Sequence, residues 1–180
     1  MGTTEGLFAR DDLEDMRREL HDGVLLGFPP PSVGHQRVER DLLLHLSHGQ
    51  MEAIPGIGIV IDDANYRIPD ISVLRPGAEV DESANEQAAA IVQIVVEIVS
   101  PTSADTDRVV KPKVYARAGI PEYWRVEPQG EGHTVLMHEL QDGGYVQTRQ
   151  IAVRDLLAEG WEAASSEVRC SMCRSGAVSR

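Results

Sequence analysis

The sequence has few cysteines, few basic residues and no long apolar run. Its 180 residues include two cysteines, and 17 lysines and arginines stand against 29 aspartates and glutamates, for a net charge of −12. Because Cys170 and Cys173 both lie near the C-terminus, the rest of the chain has no disulfide framework, which suits the reducing cytoplasm. No apolar run reaches the length of a membrane span, and the N-terminus lacks the basic and apolar regions of a secretory signal. We therefore expect a cytoplasmic protein with no membrane partner.

The shortage of basic residues argues against a protein that coats nucleic acid through a basic surface. Because the charge is unevenly distributed along the sequence, this conclusion applies to the protein as a whole and not to every segment. Residues 76–107 contain seven acidic residues and no lysine or arginine, whereas residues 108–125 contain five basic residues and one acidic residue. Such a local basic stretch could still engage a phosphate backbone, weakly and with a strong dependence on salt.

Several common functional motifs are missing from the sequence. There is no phosphate-binding loop, dinucleotide fingerprint, hydrolase nucleophile elbow or zinc-protease helix motif. Cys170 and Cys173 have the spacing of half a zinc site, but no second ligand pair accompanies them. We therefore interpret them as two cysteines in a C-terminal tail.

The pattern of apolar residues and turn residues predicts one α/β domain. Strands and helices alternate after an initial hairpin, so we expect a mixed central sheet flanked by helices. The domain is predicted to cover residues 1–150, and residues 151–180 are predicted to form an atypical, partly disordered tail. The predicted elements are helices over residues 11–18, 35–48, 102–118 and 155–161, strands over 19–21, 24–28, 57–61, 66–74, 91–99, 121–127, 134–140 and 145–151, and a loop over 76–90.

Glu97 is the most informative anomaly, since it lies inside the most apolar predicted strand. An unpaired carboxylate buried there would cost several kcal/mol or bind a proton, so a metal, a lysine or an arginine should meet it. Asp70 opens a neighbouring predicted strand, and two such carboxylates can converge on one Mg²⁺ ion.

Lys111 is the candidate cation in the helix that follows the strand of Glu97. The residue before a proline avoids helical angles, so Pro112 predicts that Lys111 stands at the start of the helix. A lysine there could orient water and stabilise the negative charge that develops on a phosphate. The spacing alone leaves a second interpretation open, in which these side chains only cap loops or form structural ion pairs.

Four segments that follow one another in the sequence have a recognisable order. They are PDISV (Pro69–Val73), VVEIVSPT (Val95–Thr102), DRVVK (Asp107–Lys111) and YARAGIPEYW (Tyr115–Trp124). With these segments the chain resembles the Uma-two family of putative restriction endonucleases, a branch of the PD-(D/E)XK nuclease superfamily, over roughly residues 10 to 150. Shorter segments near the start, ELHDG at Glu19–Gly23 and PSVGH at Pro31–His35, also look like the family's opening.

The resemblance implies a restriction-endonuclease-like core and a metal-dependent endonuclease that cleaves DNA with Mg²⁺ or Mn²⁺. Asp70 and Glu97 match the family's metal-binding acids, and Lys111 matches its lysine. In the wider superfamily the lysine follows the second acid by two residues, a position that Val99 holds here.

Three further positions have roles that the resemblance implies less directly. Glu19 matches an early acidic position that would add a metal ligand. His35 matches the start of the long helix and would be an accessory residue facing the site. Lys113 is the alternative to Lys111. Pro112 and the tail after Ile151 depart from the family pattern.

Other functions remain open at the level of the sequence. One is a catalytically silent module of nuclease fold that binds or regulates. Another is a structural protein that pairs with a second copy, although nucleases of this superfamily often act as homodimers themselves. The third is a metal-dependent hydrolase of another phosphodiester, which the acidic composition favours.

Overall fold

The structure is a computed structural model that describes residues 16–48, 51–101 and 103–159. Within these ranges the chain forms helices α1 (Val33–His48), α2 (Lys111–Arg117) and α3 (Val153–Ala158). The strands of the same ranges are β1 (Arg17–His21), β2 (Val24–Phe28), β3 (Ala53–Pro55), β4 (Gly58–Asp62), β5 (Asn65–Arg67), β6 (Ile71–Leu74), β7 (Glu86–Ala88), β8 (Val92–Ile98), β9 (Glu122–Gln129), β10 (Gly132–Gln141) and β11 (Gly144–Ala152).

The strands form two sheets. The larger one has the order β11-β10-β9-β8-β6-β3 and the smaller one the order β2-β1-β5-β4-β7. Strand β8 lies inside the larger sheet, parallel to β9 and antiparallel to β6. The predicted α/β class with a mixed central sheet is therefore confirmed.

Both faces of β8 are buried, as its apolar sequence predicts. Ile94, Val96 and Ile98 pack into one core with residues of α1 and α3, such as Leu46 and Leu156. On the opposite face Val95 packs into a second core. That core also contains residues of α2 and of the segment that follows it. The sheet is thus covered by helices on both sides.

Two hairpins form at the predicted turns. Asp22 and Gly23 join β1 to β2 with φ angles of 47° and 82°, and Asp142 and Gly143 join β10 to β11 with φ angles of 49° and 81°. Two successive residues with positive φ make a turn whose twist matches that of the flanking strands. Aspartate followed by glycine tolerates this conformation at low cost.

Three predictions of local structure are wrong. The predicted strand over residues 66–74 is two strands, β5 in the smaller sheet and β6 in the larger one. Arg17 and Arg18 belong to β1, not to a helix. Strand β1 pairs along its whole length with β2, and Arg17 lies opposite Phe28. Residues 11–15 of the predicted helix lie outside the described residues. The predicted loop over residues 76–90 contains β7, which adds parallel to β4 at the edge of the smaller sheet. The pairing of β7 with β4 depends on a distant segment, which local patterns do not reveal, whereas β1 extends the predicted hairpin at Asp22-Gly23 back as far as Arg17.

The chain continues in the fold past residue 150. Strand β11 ends at Ala152, and α3 buries Val153 and Leu156 in the same core as α1. Residues 160–180, with Cys170 and Cys173, lie outside the described residues. Among the helices of the described ranges, none is long and apolar enough to cross a membrane.

Candidate active site

A cavity of about 270 Å³ opens where the end of β8 meets the start of β6. The two strands are antiparallel and pair Val96 with Ile71, which places Glu97 and Asp70 at the same edge of the sheet. The lining residues come from β1, the stretch from the end of β2 to the start of α1, this sheet edge and the stretch from the end of β8 to the start of α2. They are Arg17, Phe28, Pro29, Pro30, Pro31, Ser32, His35, Asp70, Glu97, Ile98, Ser100, Pro101, Ser103, Asp107 and Lys111.

Asp70 is 3% exposed and is held on both carboxylate oxygens. Its Oδ2 accepts a hydrogen bond of 2.7 Å from the backbone N–H of Ile98, and its Oδ1 accepts one of 3.0 Å from Arg17. The Nε2 atom of His35 lies 3.2 Å from the same Oδ1. Burial alone would raise the pKa of Asp70, but His35 and Arg17 outweigh it and lower that pKa to about 2. Asp70 is therefore a carboxylate at every physiological pH.

Glu97 is 1% exposed and is also held on both oxygens. Lys111 donates from Nζ to Oε2 over 2.7 Å, and the Tyr115 hydroxyl donates to Oε1 over 2.6 Å. Lys111 is therefore the cation that a buried Glu97 requires, as the sequence predicts. The two donors fix the carboxylate group in one orientation.

One ammonium group serves three buried carboxylates in this cluster. The Nζ atom of Lys111 lies 3.0 Å from Oδ1 of Asp107 and 3.9 Å from Oε1 of Glu19, in addition to Glu97. Although burial disfavours its charge, these anions raise the pKa of Lys111, so it stays protonated. Glu97 holds a proton more tightly in this crowded, buried environment. Burial, opposed by Lys111 but reinforced by Asp107 and Asp70, raises the pKa of Glu97 to about 8.

Lys111 is the first residue of α2, as predicted, but its backbone angles differ from the prediction. Lys111 has helical angles, φ −58° and ψ −43°, and follows a π-helical turn over Thr106–Val110. The proline at position 112 therefore does not force Lys111 out of the helix. The backbone N–H of Lys111 donates to the carbonyl of Thr106, five residues back. A π-turn widens the backbone and re-aims the side chains that follow, and here Lys111 ends at the buried edge of β8.

Glu19 lies beside Lys111 but does not line the cavity. It is fully buried in β1, where His21 contacts its Oε2 at 2.8 Å and the N–H of Ile68 donates to its Oε1. Burial raises the pKa of Glu19, but the charge of Lys111 and the His21 contact outweigh it, so that pKa is lowered. Glu19 is therefore placed to balance Lys111 rather than to face the cavity.

The other two predicted residues, His35 and Lys113, lie in different places. His35 lines the cavity at the start of α1, where its backbone N–H donates to the Ser32 hydroxyl. Lys113 is exposed on α2 and does not line the cavity.

Sequence reasoning missed three side chains of the site: Arg17, Asp107 and Tyr115. The spacing of the last two held a usable pattern, since Asp107, Lys111 and Tyr115 stand four residues apart and therefore share one helix face. Arg17 has no such pattern, because its role depends on the distant Asp70.

The donor chemistry of the cavity fits a divalent cation. In the described part of the chain no group of three or more His, Cys, Asp or Glu side chains is preassembled as a metal site. Asp70 and Glu97 nevertheless line the same cavity, and carboxylate oxygens are the ligands that Mg²⁺ and Mn²⁺ prefer. Asp70 and Glu97 are thus the residues that could hold such a cation.

Comparisons with known proteins agree with this fold. The chain is similar to a putative nuclease belonging to DUF820 from Anabaena variabilis, whose crystal structure shares 19% sequence identity and a TM-score of 0.66. The similarity covers 89% of this chain and 99% of the other. It supports the restriction-endonuclease-like core that the motifs imply. No curated protein matches the chain.

The model of the Uma2 (Uma-two) family, described as "Putative restriction endonuclease", matches residues 5–168. This match extends at both ends beyond the residues 10 to 150 on which the motifs lie. It also includes the segments that contain Asp70, Glu97 and Lys111. The chain therefore belongs to the Uma2 family of putative restriction endonucleases, the family that its motifs predict.

Proposed function

We propose that the chain is a metal-dependent endonuclease that hydrolyses phosphodiester bonds of DNA. One observation carries the proposal: a buried lysine, Lys111, lies 2.7 Å from Glu97 on the wall of a cavity that Asp70 also lines. Two acids that can hold a divalent cation, with a fixed ammonium group beside them, suit phosphodiester hydrolysis. Membership of the Uma2 family supports the same reaction class.

Asp70 and Glu97 would hold a Mg²⁺ or Mn²⁺ ion. When bound, such an ion supplies a water of lowered pKa and polarises the scissile phosphate. The protein contributes the orientation of the two carboxylates. Ile98 fixes Asp70 and Tyr115 fixes Glu97, through the hydrogen bonds described above. Partners of this kind orient the ligands of a metal and tune its affinity.

Lys111 would stabilise the charge that grows during the reaction. Its ammonium group keeps its proton because carboxylates surround it. As the bond to the leaving oxygen breaks, negative charge accumulates on the phosphate, and a fixed cation lowers the energy of that state. Burial strengthens this effect because water does not screen the interaction.

Arg17 and His35 would position the phosphate group at the open side of the cavity. Both contact Oδ1 of Asp70, so their charges face the same point. Contact with Asp70 also raises the pKa of His35 despite the opposing effect of burial. Helix α1 starts beside them with no acidic residue in its first turn, and the start of a helix favours anions.

The direct test is cleavage of supercoiled plasmid and single-stranded DNA with and without Mg²⁺ or Mn²⁺. The protein should cut only with the metal, and Asp70→Asn and Lys111→Met should each lower the rate by about 100-fold or more. Lys113→Met is the matched control on the same helix and should retain cleavage. Cleavage that survives both site substitutions would assign the activity to a contaminant and end the proposal.

A further inference from the structure

We propose that the cavity receives an unpaired nucleotide of single-stranded DNA and that the ring of Phe28 is the surface on which its base stacks. This inference rests on the proposed function and specifies its substrate. It follows from the chemistry of the cavity mouth, from the shortage of free basic side chains there and from the way Phe28 is held.

The mouth of the cavity is apolar and stiff. Phe28 is followed by three exposed prolines, Pro29–Pro31, and Pro101 faces them from the segment after β8. Proline has a fixed φ angle and little conformational freedom to lose on binding. Apolar and planar groups at a mouth suit the flat face of a base rather than a phosphate backbone.

Cations are scarce among the described residues that line the cavity. Arg17 and Lys111 are the two with a permanent charge, and Lys111 is buried within its carboxylate cluster. In the basic stretch that follows, Arg108 and Arg125 both pair with Glu127, at 2.6 and 2.8 Å. A protein that grips duplex DNA neutralises many phosphates with lysine and arginine, and this mouth does not provide them.

Phe28 is preorganised by the buried acidic cluster. Its ring centroid lies 6.1 Å from that of His21 at a tilt of 40°, and His21 is held in turn by Glu19 at 2.8 Å. The ring is half-buried and lines the cavity. Because the ring is already oriented, stacking a base on it costs little additional entropy. Stacking on an aromatic ring is the main sequence-independent contact in single-strand binding.

The volume of the cavity agrees with the binding of one DNA strand. Its volume of about 270 Å³ is near the lower end of small-molecule sites, about 300 Å³. This space admits a single nucleotide unit beside Asp70 and Arg17, with its base toward Phe28. A base-paired nucleotide would have to leave its stack to reach Glu97, at a cost in unpairing energy.

Binding to labelled DNA tests the inference first. Fluorescence anisotropy in metal-free, low-salt buffer compares a short single strand with a hairpin duplex of the same base composition. The full chain should bind the single strand at least about 10-fold more tightly. The slope of log affinity against log salt should be only about −0.7 to −1.4, as expected for one or two phosphate contacts on a single strand.

Substitutions then locate the contact. Phe28→Leu keeps apolar bulk but removes the ring, and should weaken single-strand binding by about 5- to 50-fold. Phe28→Tyr keeps a ring and should restore binding. Leu26→Ala, on the same strand but outside the lining residues, is the matched control and should bind as the wild type. Equal binding by the Leu and Tyr variants would overturn the role of Phe28.

Cleavage of the same two DNAs separates this inference from the proposed function. With Mg²⁺, kcat/KM should be higher for the single strand, and Phe28→Leu should raise KM more than it lowers kcat. Equal or better binding and cleavage of the duplex would overturn the inference and leave the nuclease assignment intact. If neither DNA is cut, the proposed function fails, and the binding preference decides the inference separately.

Discussion

The two faces of β8 are both largely buried but differ in chemistry. On one face Ile94, Val96 and Ile98 pack against α1 and α3 in an apolar core. On the other face Val95 is followed by Glu97, which contacts Lys111 of α2. The apolar face stabilises the position of β8 in the sheet. Because that position is fixed, the other face can hold Glu97 beside Lys111, although burying a charged group alone would be unfavourable.

Removal of the Lys111 ammonium group should have the largest effect on the face of β8 that carries Glu97. Lys111→Met would leave Glu97, Asp107 and Glu19 buried without their shared ammonium group. Loss of one member of a buried ion pair costs about 3–5 kcal/mol, so the free energy of unfolding in urea should fall by that amount at neutral pH. Lys113→Met removes an exposed charge and should change stability by less than about 0.5 kcal/mol. Equal stability of both variants and the wild type would contradict the buried cluster.

A cavity on the apolar face should affect stability without affecting the site. Leu156 is fully buried in the core against α1 and β8, and Leu156→Ala should cost about 2–5 kcal/mol. At temperatures where the variant is folded, its metal affinity and cleavage rate should equal those of the wild type. A change in metal affinity beyond twofold would show that the two faces are coupled.

Low pH should reduce the stability of the protein by protonating Asp70. The fold lowers the pKa of Asp70 from 3.8 to about 2, so the carboxylate contributes about 2 kcal/mol of stability above pH 4. That contribution is lost as the pH falls from about 4 to about 2. Urea unfolding across this range should show a shallower decline for Asp70→Asn than for the wild type. Parallel curves would mean that Asp70 does not titrate as described.

The smallest effect should come from the hydroxyl that orients Glu97. Tyr115→Phe removes the hydrogen bond of 2.6 Å to Oε1 and should cost about 1.5 kcal/mol. Because the carboxylate loses one of its two fixed contacts, affinity for Mn²⁺ should fall about 10-fold, measured by calorimetric titration. Tyr123→Phe, which loses a hydroxyl bound to a backbone carbonyl, is the control and should retain the wild-type affinity.

These differences also explain what the sequence could predict. The hairpin at Asp22-Gly23 and strand β8 follow from local patterns, and the partnership of Glu97 with Lys111 follows from the cost of burying a charge. The contact of Arg17 with Asp70 does not follow from local patterns, because the two residues lie 53 positions apart. The π-turn before Lys111 lacked a local signal for the same reason, since the buried edge of β8 determines where the lysine must reach.

The most direct test of the central claim is titration of Mn²⁺ into the metal-free protein, followed by electron paramagnetic resonance of the unbound ion. The wild type should bind the ion at the carboxylate pair, and both Asp70→Asn and Glu97→Gln should lose that binding while remaining folded. Unchanged binding in both variants, or no binding by the wild type, would contradict the assignment of Asp70 and Glu97 as the metal-holding residues of a nuclease.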